Sequence, residues 1–442
     1  MSTPHRFASG RSLLFRLGVA LFVSLGLLGL LGFAAYIALT KVLPVFHFPA
    51  PSGPHAIGTL TYHWVDSGRT EILSTDANQA RELMAQIWYP AKLENVAAPP
   101  TSPKPQPGAP YLQHADALAN ALSRLKNLPA ALFGQFKYVK THAIPGASVA
   151  DEKPNYPVLI FLEGAIGFRQ MNTFQVEALV SHGYIVVAID QPYTAAVVVF
   201  PGGREVGALP LDQMLPLIHQ SYSPTAVAPT LNGRAFDNGI VLYLAQDVSF
   251  TLNQLAALNQ VDQNGILTGR LNLLQAGTFG VSLGGIVGAE ACRVDPRLRA
   301  CLLMDAPMSV NVVKYGLRQP ALWITRDVET MRLERRRSGG WSEASITAHQ
   351  NSMRTTYANS QHPSYFVEVP GMFHVNLTDI PYWSPMLPWL GITGPIDAQQ
   401  AHNIINAYSL AFFNRHLLSR PEALLDDTAS PYPEVVFNAR RP

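Results

Sequence analysis

Cysteine is nearly missing from this chain: two residues among 442 exclude a disulfide-framed scaffold and any cysteine-rich zinc or iron–sulfur site. Charge is scarce too, at 14% of residues where about a quarter is usual. Neither sign dominates, since 32 Lys and Arg face 30 Asp and Glu. So balanced a chain lacks the concentrated basic excess of a nucleic-acid binder, and no nucleic-acid partner is expected. No internal repeat is present. What the sequence does have is apolar residues, 48% of the total, enough for a large packed core. The shortage of charge also points to a segment in lipid.

That segment is at the front. Arg6, Arg11 and Arg16 precede an uncharged run from Leu17 to Thr40, and the next charge is Lys41. As a helix, the run would span about 36 Å, more than the roughly 30 Å hydrocarbon core. Arginines on its N-terminal side place that end in the cytoplasm and the rest of the chain outside it, periplasmic or extracellular. The rival is a cleaved signal peptide, whose apolar region is about 7–15 residues and ends in an A-x-A-like site. The length here favours an uncleaved anchor. Pro44, Pro49, Pro51 and Pro54 cannot continue a helix and read as a stiff stalk. The expected organisation is therefore a basic N-terminus (1–16), a transmembrane anchor (17–40), a stalk (41–54), an α/β domain (55–425) and a C-terminal tail (426–442).

Within the domain, Val158 to Leu162, Tyr184 to Ile189 and Ala300 to Met304 are apolar at every position. Such runs suit parallel strands covered on both faces. Tyr62 to Val65, Leu83 to Tyr89, Pro320 to Thr325 and Tyr365 to Val369 supply further strands, and a Pro-rich loop occupies 97–110. Helical stretches alternate with the strands: Asn172 to His182, Leu242 to Leu258, Gly285 to Cys292 and Ala401 to His416. Strand–helix alternation of this kind predicts a mostly parallel, doubly wound sheet. Two long insertions, Gly202 to Asn238 and Val328 to Gln361, follow strand ends, where lids and substrate walls usually sit.

The chemistry enters at Gly280-Val281-Ser282-Leu283-Gly284. This G-x-S-x-G spacing is that of the nucleophile elbow of α/β-hydrolases. A serine forced into a sharp strand-to-helix turn needs glycine two residues either side, because a Cβ there meets neighbouring backbone. The following helix N-terminus then points N–H groups at a developing oxyanion. An ordinary glycine turn is the bland reading, but Ala276 to Phe279 supplies the strand and Gly285 to Cys292 the helix. The hydroxyl needs a base, and the base an orienting acid, both later in the chain in this fold. His374 is the base expected, in the turn Pro370 to His374 just after the last predicted strand. His402 and His416 fall in the terminal helix as packing or surface residues, while His349 and His362 lie in the long insertion and can at most touch substrate. For the acid, Asp305 and Asp327 both end strands, and position does not separate them.

Together these residues resemble the platelet-activating-factor acetylhydrolase family in its α/β-hydrolase form, from about Ile57 to Trp383. The resemblance is carried by Gln86-Ile87-Trp88-Tyr89-Pro90, Leu179 to Tyr184, Gly280 to Gly285, Leu303-Met304-Asp305-Ala306 and His374-Val375-Asn376. It implies Asp305 as the acid, with Asp327 the alternative, and it assigns the oxyanion N–H groups to Leu283 and Ala165. It also implies a serine carboxylesterase acting on short or oxidised acyl groups of phospholipids, with no metal or organic cofactor. Two positions depart from the family: Val281 and Glu163 each stand where it has histidine. A carboxylate at 163 opposes a developing negative charge unless it is protonated, turned away or paired, for example with Arg169. Glu163 therefore motivates a second reading, an inert α/β-hydrolase scaffold for lipid binding or assembly. Met372, Phe373, Tyr382 and Trp383 line an acyl pocket, dip towards lipid or simply pack. Cys292 and Cys301 are either a disulfide or two buried thiols. The sequence does not fix the oligomeric state.

Overall fold

Strands that are apolar at every residue need cover on both faces, and the chain supplies it. A computed structural model describes residues 22, 41–92, 108–426 and 430–441. The expected N-terminus and anchor (1–16 and, but for Phe22, 17–40) and most of the Pro-rich loop lie outside the described residues. Among the described residues, no helix is long and apolar enough to cross a membrane.

Ten strands form one sheet: β1 (Ala56–Thr70), β2 (Ala80–Ala91), β3 (Ala143–Pro145), β4 (Tyr156–Leu162), β5 (Ile185–Asp190), β6 (Leu271–Val281), β7 (Leu298–Met304), β8 (Ala321–Thr325), β9 (Ser364–Glu368) and β10 (Val436–Arg440). Their spatial order is β10-β9-β8-β7-β6-β4-β5-β2-β1-β3. The stretch from β9 to β5 is parallel throughout. β10 and β2 flank it antiparallel. The helices around it are α1 (Ala115–Lys126), α2 (Thr173–Ser181), α3 (Val241–Gln260), α4 (Leu283–Val294), α5 (Val328–Ser338), α6 (Glu343–Ala358) and α7 (Ala398–Leu418).

Strand β4 shows how the pattern works. Leu159 and Phe161 point to the face packed by α2 and α7, through Val176, Leu179, Ile404 and Phe412. Val158, Ile160 and Leu162 point to the other face, against Leu244 and Val248 of α3 and Val287 of α4. All five strand residues are fully buried. Burying each such side chain contributes about 1.5–3 kcal/mol, and truncating one to Ala costs about 2–5 kcal/mol.

Three regions differ from expectation. The stalk is not free-standing: Phe46 and Phe48 are buried against Tyr111, with ring centroids at 5.7 and 5.2 Å. The Ser384 hydroxyl donates to the Val42 carbonyl at 2.5 Å, and Gly53 N–H to Ser181 Oγ at 3.1 Å. A Cβ at Gly53 would lie 2.1 Å from the Ser181 carbonyl oxygen, so only glycine permits this approach. Its aromatics, not its prolines, decide the strap's position. Second, the tail contributes β10, whose residues 436–440 pair with β9. Third, the insertion after β8, expected as a lid or substrate wall, is two helices, α5 and α6, that line no part of the Ser282 cavity. Cys292 and Cys301, both buried, are joined as a disulfide linking the end of α4 to β7, with Cα atoms 6.6 Å apart.

Candidate active site

The turn between β6 and α4 behaves as its glycines require. Ser282 holds φ 57° and ψ −121°, a left-handed conformation that an L-residue adopts only under constraint. The constraint is crowding. A Cβ on Gly280 would lie 2.4 Å from the Gly284 oxygen, and one on Gly284 would lie 2.0 Å from the Leu162 oxygen. Ser282 N–H is anchored to the Met304 carbonyl at 2.9 Å, while its own carbonyl accepts from Gly285 and Ile286 N–H. Leu283 occupies the first helical position, where the N–H has no partner within its helix.

Gly164 and Ala165 follow β4 and border the same spot. A Cβ on Gly164 would lie 3.3 Å from the Ser282 Cβ, and Ile166, also at positive φ, ties this loop to Thr194 through a 2.7 Å bond. Gly164, Ala165, Ser282 and His374 all line one cavity of about 230 Å³. Leu122 of α1, Phe133, Met171, Ile380 and Trp383 furnish apolar walls. Neither expected insertion forms those walls. They come from the α1 segment, the loop between β4 and α2 and the loop after His374, while Met372 and Phe373 are buried in the core.

His374 begins a short turn after β9. Asn376 fixes that turn by accepting from Phe373 N–H at 3.0 Å and Gly394 N–H at 2.8 Å. The imidazole Nδ1 donates to Asp305 Oδ2 at 2.5 Å, which leaves Nε2 for the cavity. Asp305, fully buried at the end of β7, is ringed by donors. Oδ2 lies 2.7 Å from Arg326 Nε, and Oδ1 accepts from Thr325 Oγ1 at 2.8 Å and His349 Nε2 at 3.2 Å. Burial alone would raise its pKa, but the Arg326 charge and the histidine hydrogen bonds overcome it and hold the carboxyl well below the usual carboxylate range. Asp327 takes a different job. It caps α5, accepting from Thr330 N–H at 2.9 Å and Thr330 Oγ1 at 2.5 Å.

Sequence reasoning missed what stands behind Asp305. Arg326 is fully buried between Asp305 and Glu334 Oε2, the latter at 2.5 Å, with the Trp341 ring 5.0 Å away. Glu334 also accepts from His374 N–H at 3.2 Å. His349 is buried, not at the substrate, and burial pushes its pKa down. A signal existed: Ile346, His349, Gln350 and Met353 recur at helical spacing, an inward stripe. His402 is a packed residue stacked on Phe174, its ring centroid 3.7 Å away and its pKa lowered to about 4 by burial.

Glu163 is buried, with Oε1 accepting from Gln191 N–H at 3.1 Å and Oε2 lacking a partner among the described residues. Its pairing with Arg169 is not what forms: that guanidinium bonds Asp190, whose Oδ1 also accepts Arg169 N–H at 2.6 Å. Desolvation first, then the neighbouring Asp190, raise the Glu163 pKa well above the usual range. A carboxyl pushed towards its neutral form opposes a developing negative charge less, which weakens the ground for an inert scaffold.

A mostly parallel sheet with a strained serine turn between strand and helix defines an α/β fold consistent with an α/β-hydrolase, in an ester-hydrolase setting. The chain belongs to the family described as platelet-activating factor acetylhydrolase, isoform II, which it matches over residues 41–422. It is 21% identical over 390 residues to the platelet-activating factor acetylhydrolase of Gallus gallus, covering 84% of each chain. To a probable 1-alkyl-2-acetylglycerophosphocholine esterase of Arthroderma benhamiae it is 22% identical, covering 89% of this chain and 94% of the other. Among solved structures, a ferulic acid esterase from Streptomyces cinnamoneus matches at TM-score 0.66 and 27% identity, over 89% of this chain and 99% of that one. The chain is thus a serine ester hydrolase.

Proposed function

We propose that the protein releases short acyl groups from phospholipid-like esters of the 1-alkyl-2-acetylglycerophosphocholine type. Ser282 is the nucleophile, His374 the base and Asp305 the orienting acid. The observation that carries this reading is one cavity containing both Ser282 and His374, with the His374 ring held from behind by Asp305. His374 Nε2 removes the Ser282 proton as the oxygen attacks the ester carbonyl. Leu283 and Ala165 N–H groups receive the oxyanion, His374 protonates the leaving alcohol, and a water activated by the same ring then frees the acid. Asp305 keeps Nδ1 protonated and steadies the imidazolium.

The test is labelling with a fluorophosphonate probe together with acetate release from 1-alkyl-2-acetylglycerophosphocholine. Wild type should label and turn over, and Ser282→Ala should do neither; equal labelling of the two would reject the assignment. As part of the same reading, residues 17–40 anchor the chain with the hydrolase domain outside the cytoplasm. The Cys292–Cys301 disulfide supports an oxidising location for that domain. Protease treatment of cells stripped of any outer membrane should digest the domain, and full protection there would refute the topology.

A further inference from the structure

Besides Ser282, His374 and Thr378, the cavity is lined by apolar side chains, glycine backbone and one lysine. Among the described residues lining it, Lys126 is the sole Lys, Arg, Asp or Glu. It sits in the last turn of α1, one turn beyond Leu122, and reaches the cavity from the rim. Arg124, in the same last turn, does not line this cavity, Arg169 bonds Asp190, and Lys137 lies over the Tyr138 ring. No carboxylate among the described residues pairs with the Lys126 amine, and desolvation by the surrounding protein lowers its pKa. Lys126 is exposed yet lines the cavity, so its ammonium is open to an anion that enters there. The bland account is a lysine placed to complement the C-terminal end of α1. That account explains a charge on the helix end but not its contact with the cavity.

We propose that Lys126 is an anion-binding subsite of this active site, selecting esters that carry a phosphate or carboxylate oxyanion at the cavity mouth. The proposal rests on the esterase reading of the same cavity. Two sources share that chemistry: the phosphodiester of a glycerophospholipid, and a carboxylate at the free end of a shortened acyl chain. Lysine suits either, because its flexible stem carries a point charge without demanding bidentate geometry.

Four monomeric esters separate the alternatives: p-nitrophenyl butyrate, mono-p-nitrophenyl glutarate, dihexanoylphosphatidylcholine below its micelle concentration, and dihexanoylglycerol. Replacing Lys126 by Met keeps the apolar stem and removes the charge. For Lys126→Met we expect kcat/KM to fall roughly three- to tenfold on the glutarate or the phospholipid, the range for a partly exposed ion pair. The two uncharged esters should stay within about twofold, which also shows that the variant folds, and Lys126→Arg should restore most of the loss. Loss confined to the glutarate places the anion at the acyl end; loss confined to the phospholipid places it in the headgroup. An equal change on all four esters, or no change on either anionic one, overturns the proposal while leaving the esterase reading intact. A wild type inert towards all four overturns the esterase reading itself, and this proposal with it.

Discussion

Replacing Asp305 by Asn tests the site most sharply, because the geometry demands two separable losses. Three donors, His374 Nδ1, His349 Nε2 and Thr325 Oγ1, and the Arg326 charge converge on this carboxylate. An amide offers one oxygen and one NH2. If the NH2 faces His374, it holds the ring in the tautomer with Nε2 protonated, unable to take the serine proton. Losing the orienting acid of such a triad lowers kcat by about 10⁴. The second loss is in stability. Arg326 is fully buried and would lose its charge partner, though Glu334 remains on its other side. Breaking a buried pair costs about 3–5 kcal/mol, and with half of the compensation retained we take about 2–3 kcal/mol. Hydrolysis of p-nitrophenyl acetate reads the first loss and chemical denaturation the second. Asp327→Asn is the internal control: it keeps a good helix cap, so both kcat and stability should stay close to wild type. Should Asp305→Asn retain kcat within tenfold of wild type, or Asp327→Asn lose activity instead, the assignment of the acid is wrong.

Glu163→Gln should retain wild-type activity near neutral pH, since the amide copies a neutral acid. The folded-state pKa of Glu163 is raised, so wild-type stability should fall as pH rises from the unfolded carboxyl range of about 4.3 towards the folded value. Glu163→Gln should flatten that fall in denaturant titrations; an unchanged profile would refute the neutral-acid account. Reducing the disulfide, or replacing Cys292 and Cys301 together by Ala, should cost about 2–3 kcal/mol for a closure across nine residues, read as a lower denaturation midpoint with kcat preserved. Gly284→Ala puts a methyl 2.0 Å from the Leu162 oxygen, and it should abolish fluorophosphonate labelling, or the folded protein altogether. A labelled, soluble Gly284→Ala would contradict the crowding argument.

The parallel core was legible because its signal is local. A strand buried on both faces must be apolar throughout, and Val158 to Leu162 or Ala300 to Met304 announce this without a partner in view. The serine turn was legible for a related reason, since crowding permits only glycine at 280 and 284. Histidine 374 could be reached by chain order. The surroundings of Asp305 could not, because they depend on contacts across long sequence separations. Arg326 looks like any residue after a strand until Glu334 and Asp305 close on it, and His349 looks like part of an insertion until α6 turns it inward. The strap shows the same limit from the other side. Four prolines suggested a stiff stalk, yet Phe46 and Phe48 find the aromatic cluster of Tyr111, Phe136 and Tyr382, and burial fixes where it lies.

Position 163 makes the general point about charge in such a site. From the sequence, a glutamate next to the oxyanion loop is an electrostatic liability, and a nearby arginine its natural remedy. The structure removes the remedy by giving Arg169 to Asp190, and in doing so it removes the liability as well. A Glu163 paired with arginine would stay ionised, fixing a carboxylate beside the developing oxyanion even with its charge balanced. Buried and next to Asp190, its carboxyl is pushed towards the neutral form despite the Gln191 N–H it accepts. The neutral side chain then packs its Cβ and Cγ against the Gly167 turn, where an added Cβ would come within 3.1 Å, and so props the loop carrying Ala165. What stands where the family has histidine is therefore a neutral hydrogen-bonding group, compatible with negative charge appearing on the substrate a residue or two away.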